Sequence, residues 1–130
     1  MGRLVSSRLW GATGAIVCGF AVIAGAYGWH SLESDHDMRQ IFMLGVQYHM
    51  WHGLALLVVA WLADGGGRSA TAAAAAGLGF LAGIVLFSVN LYVLAVTGEP
   101  LISGAAPIGG FALMGGWAIL AVSAILRKPA

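Results

Sequence analysis

The sequence predicts an all-α integral membrane bundle of four transmembrane helices with short loops. Six Lys and Arg and five Asp and Glu make up all the charged residues, and all eleven lie outside four long runs: 9–32, 40–63, 69–98 and 100–126. Of the 130 residues, 60% are hydrophobic and 8% are charged, whereas typical soluble domains are about 25% charged. A helix needs about 20 apolar residues to cross a bilayer core about 30 Å thick, so each run is long enough to span it.

The runs and their boundaries predict a single membrane domain over residues 1–130. We expect its four helices near residues 8–30, 40–63, 70–97 and 107–126. The stretch from Glu33 to Arg39 is predicted to be a polar loop, and the glycine-rich stretch 64–68 a tight turn. Pro107 suits the first turn of the fourth helix, where its missing N–H would have no partner in any case.

The first run also resembles a secretory signal peptide, since Arg3 and Arg8 precede it and the small residues Ala24-Gly25-Ala26 follow its apolar stretch. Cleavage there would leave three spans. We expect the segment to remain as the first helix. Cys18 is the only cysteine, which excludes a disulfide framework and a metal site built from several cysteines.

Positive charge near the span ends predicts the orientation, because cytoplasmic loops carry an excess of Lys and Arg. Four spans place both termini on one side, and that side carries five of the six cations. These are Arg3, Arg8, Arg68, Arg127 and Lys128. The other side carries only Arg39. We therefore expect both termini in the cytoplasm and, for a bacterial chain, a location in the inner (cytoplasmic) membrane.

Small residues recur along three of the predicted helices. Between helices in lipid, close van der Waals contact through small residues replaces the hydrophobic driving force. The candidate packing residues are Gly11 and Gly25 on the first helix, Gly79 and Gly83 on the third, and Gly109 and Gly116 on the fourth. Asn90 is predicted to continue the Gly79–Gly83 face. These stripes predict either a tight monomeric bundle or an interface with another copy or another membrane protein.

Polar side chains inside the spans form the candidate site. His49 and His52 lie one turn apart on the second helix, at depths of roughly 13 Å and 18 Å if that helix begins near residue 40. An ionisable group at such depth is costly and is by default a functional hypothesis. The candidate cluster consists of His30, Tyr48, His49, His52, Asn90 and Tyr92.

Two interpretations of this cluster remain open. In the first, neutral histidines bond to Asn90, to tyrosine side chains or to backbone carbonyls, and so hold the helices in register. In the second, His49 and His52 bind haem, copper or another metal, or a quinone head group, or they form part of a proton path. Two histidines without a nearby acid or cysteine are few for a metal site, so we predict no cofactor and leave any metal unassigned.

Tryptophans divide by their depth in the predicted spans. Trp10, Trp29 and Trp61 lie near span ends, where amphipathic rings favour the headgroup region. They are predicted to be interface anchors. Trp51 and Trp117 lie deeper and are predicted to be packing residues.

Four segments resemble the family of small four-helix membrane proteins that includes YgdD-like proteins and transmembrane protein 256. The segments are Gly25-Ala26-Tyr27-Gly28-Trp29-His30, the stretch 48–57, Phe87-Ser88-Val89-Asn90-Leu91-Tyr92 with Thr97-Gly98, and Pro107-Ile108-Gly109-Gly110 with Gly116-Trp117. The family usually has Ala where this chain has Trp29, and a hydroxyl residue where it has Asn90. The resemblance implies a membrane location and four helices, and it supplies no reaction.

The sequence lacks the residues that are typical of several classes of function. The chain has no basic stripe, so we expect no nucleic-acid partner. We find no Ser-His-Asp set, no phosphate loop and no paired carboxylates, and the spans lack the buried acid on which small four-helix exporters depend. The sequence therefore predicts a non-enzymatic structural or accessory membrane protein, in contact with lipid and with other membrane proteins or its own copies. The alternative is a cofactor-binding protein that uses His49 and His52.

Overall fold

The structure, a computed structural model, describes residues 6–129 as four long helices joined by short connections. The helices are α1 (Ser7–Ser31), α2 (His36–Ala63), α3 (Gly67–Thr97) and α4 (Ala105–Leu126). Each is long and apolar enough to cross a membrane. The predicted all-α fold with four spans is confirmed. Arg3, which contributed to the predicted orientation, lies outside the described residues.

Helix α2 begins earlier than predicted. Asp35 caps it, because the Asp35 carboxylate accepts a hydrogen bond from the Met38 N–H at 3.1 Å and so satisfies a backbone donor of the first turn. The predicted loop from Glu33 to Arg39 is therefore wrong in its second half, where His36–Arg39 is helical. With 28 residues, α2 is about 42 Å long, which is more than the bilayer core requires.

Helix α3 contains one π-helical turn. This turn, Ile84–Val89, lies between the α-helical segments Gly67–Gly83 and Asn90–Thr97. A π turn closes i→i+5 bonds and thus takes in an extra residue, which rotates everything beyond it relative to the preceding segment. For this reason Asn90 does not continue the face of Gly79 and Gly83, and that part of the prediction is wrong.

Glycines in the left-handed region shape two helix ends. Gly66 and Gly67 have φ values of 68° and 62°, which allow the abrupt turn between α2 and α3. Gly98, with φ of 81°, ends α3, and its N–H donates to the Leu94 carbonyl at 2.8 Å. Pro107 is the third residue of α4 and lies in its first turn, as predicted.

The helices pack as two pairs. Helix α1 packs on α2, α4 packs on α3, and α2 and α3 meet in the middle. The two described chain ends lie at the same end of the bundle. There the Ser7 hydroxyl donates to Asp64 at 3.3 Å, and the Arg127 guanidinium donates to the Trp61 carbonyl at 3.2 Å.

Four of the predicted packing glycines lie where α3 and α4 meet. Gly79 and Gly83 face α4, and Gly109 and Gly116 face α3. A Cβ atom added at Gly109 would lie 2.6 Å from the Phe87 backbone nitrogen, far inside van der Waals distance. The two backbones therefore approach closely enough to exclude any side chain at this point, as small-residue helix contacts in membranes do.

On α1 the closest approaches occur at residues that the sequence pattern missed. Gly11 and Gly25 face α2 at ordinary distances, since added Cβ atoms would lie 3.8 Å and 3.4 Å from α2 side chains. Gly14 and Gly28 are buried, and an added Cβ at Gly14 would lie 3.1 Å from the carbonyl oxygen of Gly53. The contact line on α1 is thus shifted around the helix from the predicted stripe.

Two of the three predicted tryptophan anchors are exposed at the rims. Trp29 and Trp61 each carry an arginine guanidinium over the ring, Arg39 at 3.5 Å and Arg127 at 3.8 Å from the ring centroids. This arrangement suits a headgroup environment, where a cation and an amphipathic ring both meet water. Trp10 is buried instead, with 6% of its surface exposed, so its predicted role as an anchor is wrong.

A reciprocal pair of serines joins the start of α3 to the end of α4. The Ser69 hydroxyl donates to the Ser123 carbonyl and the Ser123 hydroxyl donates to the Ser69 carbonyl, both at 2.8 Å. We expect Ser69→Ala and Ser123→Ala each to lower the free energy of unfolding by about 0.6 kcal/mol. Each hydroxyl bonds to a backbone carbonyl that the other substitution leaves in place, so the double variant should lose more stability than either single variant. The two hydroxyls also lie 3.3 Å apart, so we expect the two losses to be partly coupled.

Chemical unfolding in detergent, followed by circular dichroism, measures these losses. Thr71→Ala is the matched control, because Thr71 is exposed two residues further along and its hydroxyl bonds to the Gly67 carbonyl within α3. If the double variant loses no more unfolding free energy than either single variant, the two serines do not form two separate hydrogen bonds.

Candidate functional site

His52 has both ring nitrogens engaged inside the protein. Its Nε2 accepts a hydrogen bond from the Trp117 indole N–H at 3.0 Å, and its Nδ1 lies 2.6 Å from the Tyr48 carbonyl oxygen. An indole nitrogen only donates and a carbonyl only accepts. The ring proton is therefore on Nδ1, and the imidazole is neutral. His52 thereby connects α2 to α4 while only 4% of its surface is exposed.

His49 connects α2 to α3. Its Nδ1 lies 2.8 Å from the Tyr92 hydroxyl, and the backbone of Val17 on α1 is a further polar neighbour of the ring. His49 is buried. Between them, the two histidines contact every other helix of the bundle, at positions 14 and 17 of the 28 in α2.

Aromatic rings surround His52. The Tyr48 ring packs on Phe87 with a centroid distance of 4.7 Å, and Phe80 packs edge-on against Trp117 at 5.1 Å. The His52 ring lies 5.5 Å from Phe80. Tilted and edge-to-face arrangements at these distances are favourable. The imidazole is thus part of a packed aromatic layer, held by specific hydrogen bonds.

Two members of the predicted cluster lie apart from the rest. The Asn90 side chain, 4% exposed, accepts a hydrogen bond from the Ile102 N–H at 3.0 Å and so braces the connection between α3 and α4. Of the three alternative partners predicted for the histidines, a tyrosine side chain and a backbone carbonyl are the ones found, while Asn90 bonds to Ile102 instead. His30 is exposed at the end of α1 and, within residues 6–129, shares no hydrogen bond or ring contact with the other five.

The polar cluster of the structure therefore consists of Tyr48, His49, His52, Tyr92 and Trp117. Trp117 was predicted to be only a packing residue. One signal pointed to it: a neutral imidazole buried in a span requires a donor for its second nitrogen, and Trp117 is a donor located near the middle of the fourth helix.

Ser88 is a further polar residue near this layer. It lies in the π turn of α3, is completely buried, and its hydroxyl has no hydrogen-bond partner among the described residues. An added Cβ at Gly45 of α2 would lie 3.2 Å from the Ser88 carbonyl oxygen, so the two backbones approach closely here. The π turn therefore presses the Ser88 backbone against α2.

The geometry limits what the cluster can bind. Across residues 6–129, no three side chains of His, Cys, Asp and Glu lie close enough to hold a metal ion. A ligand on His52 would have to displace Trp117 from Nε2 or the Tyr48 carbonyl from Nδ1. The arrangement is chemically suited to joining helices, since two of its hydrogen bonds, His52–Trp117 and His49–Tyr92, run between different helices.

Comparison with known proteins gives a consistent result. The chain matches the model of a protein family of unknown function, DUF423, over residues 24–110. It is 46% identical over 98 residues to the UPF0382 membrane protein YwdK of Bacillus subtilis, which covers 72% of this chain and 77% of the relative. It is 34% identical over 103 residues to the UPF0382 membrane protein SAB0533 of Staphylococcus aureus, covering 77% and 81%. No solved structure matches.

The matched region contains every member of the polar cluster except Trp117. The relatives are bacterial membrane proteins by name, in agreement with the four spans and with a bacterial membrane location. No activity is established for them. The chain belongs to the DUF423 family of small multi-pass membrane proteins.

Proposed function

We propose that this protein is a non-catalytic structural or accessory membrane protein that packs one helix face against a second copy or a larger membrane complex. The outer face of α1 carries the proposal. Only 17% of the apolar stretch of α1 is buried inside the chain, against 28–39% for the other three spans. Helix α1 therefore has the smallest buried share of the four spans and leaves a face open to the bilayer and to partners.

This outer face contains a stripe of small residues. Its members are all exposed and fall within an arc of about 80° on an α-helix. They are Ala12, Ala15, Gly19, Val22 and Ala26. Small residues in a span allow a second helix to approach closely and gain van der Waals contact. The chain uses the same device internally where α3 meets α4.

Gly19 provides the sharpest test, because an added Cβ there would meet no atom within 4 Å. We expect Gly19→Leu to leave the fold intact and to weaken association at least tenfold, about 1.4 kcal/mol, because a bulky side chain prevents close approach of helices. Association is measured by energy transfer between labelled copies in vesicles and by photocross-linking from Phe20 in cells.

Gly115→Leu on α4 is the matched control, since Gly115 is also exposed and its added Cβ also meets no neighbour. Unchanged association in Gly19→Leu, or an equal loss in both variants, would refute the role of the α1 face.

The alternative proposal is that His49 and His52 hold haem, copper or a quinone. The hydrogen bonds of His52 count against it, because a ligand would have to replace them. Absorption spectra, metal analysis and quinone extraction of protein from cells supplied with haem and copper distinguish the two. One equivalent of cofactor per chain, lost in His52→Phe, would establish the alternative.

Two narrower statements stay predictions. One is the likeness to YgdD-like proteins and transmembrane protein 256, which supplies no activity. The other is the location of both termini in the cytoplasm, which follows from the distribution of Lys and Arg near the span ends.

A further inference from the structure

A cavity of about 490 Å³ opens at the end of the bundle where the described chain ends lie. It is formed by the α2–α3 turn, the first residues of α3 and the residues that follow α4. Arg68 and Lys128 line it from two different elements, and Leu126 supplies an apolar wall. The cavity thus combines two cations with an apolar surface at the ends of the transmembrane helices, which is the level at which lipid headgroups lie.

Among residues 6–129, no acidic side chain pairs with the two cations of the cavity. Within residues 6–129 neither Arg68 nor Lys128 forms an ion pair. The acidic side chain nearest to Arg68 along the chain is Asp64, but its carboxylate accepts a hydrogen bond from Ser7 on α1 and does not line the cavity. Arg127 points elsewhere, since its guanidinium stacks on Trp61. The described side chains that line the cavity therefore carry net positive charge.

Backbone donors add to this charge. No side chain of the described part of the chain caps the start of α3, and the first N–H groups of a helix have no partner within it. Gly67, Arg68 and Ser69 of this turn all line the cavity. The Ser69 hydroxyl is occupied with Ser123, which leaves its N–H for a ligand. A concave site with two cations, free N–H donors and an apolar wall suits the phosphate group of a phospholipid, whose acyl chains can lie against the apolar wall.

We infer that this cavity binds a phosphate group, either that of an anionic phospholipid headgroup or that of a free phosphate-bearing anion. Basic pockets between transmembrane helices near the cytoplasmic surface are suited to anionic headgroups. The site is independent of the polar cluster and of the outer face of α1, so either proposal stands if the other fails.

Binding is tested with the full chain in detergent micelles by native mass spectrometry and thermal shift. The three probes are phosphatidylglycerol, zwitterionic phosphatidylcholine and inorganic phosphate. We expect phosphatidylglycerol to bind with one equivalent per chain. Arg68→Gln and Lys128→Gln should each raise its dissociation constant about fivefold, since each cation near the membrane surface contributes on the order of a factor of five.

Arg8→Gln is the matched control, because it removes one cation on the same predicted side from a residue that is exposed and does not line the cavity. If inorganic phosphate binds as tightly as phosphatidylglycerol, and the two cavity variants weaken its binding while Arg8→Gln does not, the phosphate site is supported and its ligand is a free anion. Equal weakening in Arg8→Gln, no weakening in either cavity variant, or equally tight binding of phosphatidylcholine would overturn the inference.

Discussion

Gly109→Ala is expected to lower the free energy of unfolding by about 3 kcal/mol, at the upper end of the usual cost of overpacking. An added Cβ would lie 2.6 Å from the Phe87 nitrogen and 2.9 Å from the Leu86 carbonyl carbon. These are backbone atoms, which cannot rotate away as a flexible side chain would. The substitution must therefore push α4 away from α3 and loosen the contact along its length.

Gly110→Ala is the matched control for this loss. Gly110 is the next residue of the same helix, and its added Cβ would meet no atom within 4 Å. It should be neutral or slightly stabilising, because Ala is the better helix former. Unfolding is followed by circular dichroism in increasing denaturing detergent. Equal stabilities of the two variants would contradict the close approach of α3 and α4.

The sequence was informative where a regular period held. Gly79 and Gly83 are four residues apart, and an α-helix brings such residues to one face. Gly109 and Gly116, two turns apart on α4, also share a face. Both pairs lie in uninterrupted α-helix, and the structure places them against each other.

The same reasoning failed where the period changed. Asn90 lies seven residues after Gly83, which predicts a shared face for an unbroken α-helix. The π turn Ile84–Val89 intervenes and rotates Asn90 towards the α3–α4 connection. No residue type in that turn signals an i→i+5 bond, since its sequence is apolar apart from Ser88. A pattern based on 3.6 residues per turn therefore could not predict this local change in hydrogen bonding.

Contacts between helices that are distant in the sequence could not be predicted from the sequence either. Burial of His49 and His52 followed from their depth in the span, but depth does not identify a partner 65 residues away. Trp117 is half-exposed, so in the sequence it resembles a lipid-facing residue, although its indole N–H donates to His52. Its role depends on how α4 is rotated against α2, and that rotation is set by the glycine contacts with α3.

The second large effect concerns this hydrogen bond and the ring that accepts it. We expect His52→Ala to lower the free energy of unfolding by about 3 kcal/mol, as large-to-small substitutions in packed cores do. The change opens a cavity inside the aromatic layer and leaves the Trp117 N–H without its acceptor. Gln47→Ala is the control on the same helix, because Gln47 is exposed, and its effect should be close to zero.

A double-mutant cycle separates the hydrogen bond from the packing. His52→Phe keeps an aromatic ring without an acceptor, and Trp117→Phe keeps a ring without a donor. We expect a coupling energy of about 0.6–1.7 kcal/mol between them, the range that interhelical hydrogen bonds in membrane proteins show. Unfolding in detergent, with protein shown to carry no cofactor, provides all four stabilities.

The cycle also tests the two interpretations of the polar cluster against each other. If His52 serves to hold α2 against α4, the coupling exists in the unliganded protein, because both partners belong to the chain. If His52 instead awaits a ligand, the bond to Trp117 must be weak enough to exchange, and the coupling should vanish. A coupling near zero together with a small effect of His52→Ala would therefore remove the structural role and favour a binding site at the centre of the membrane.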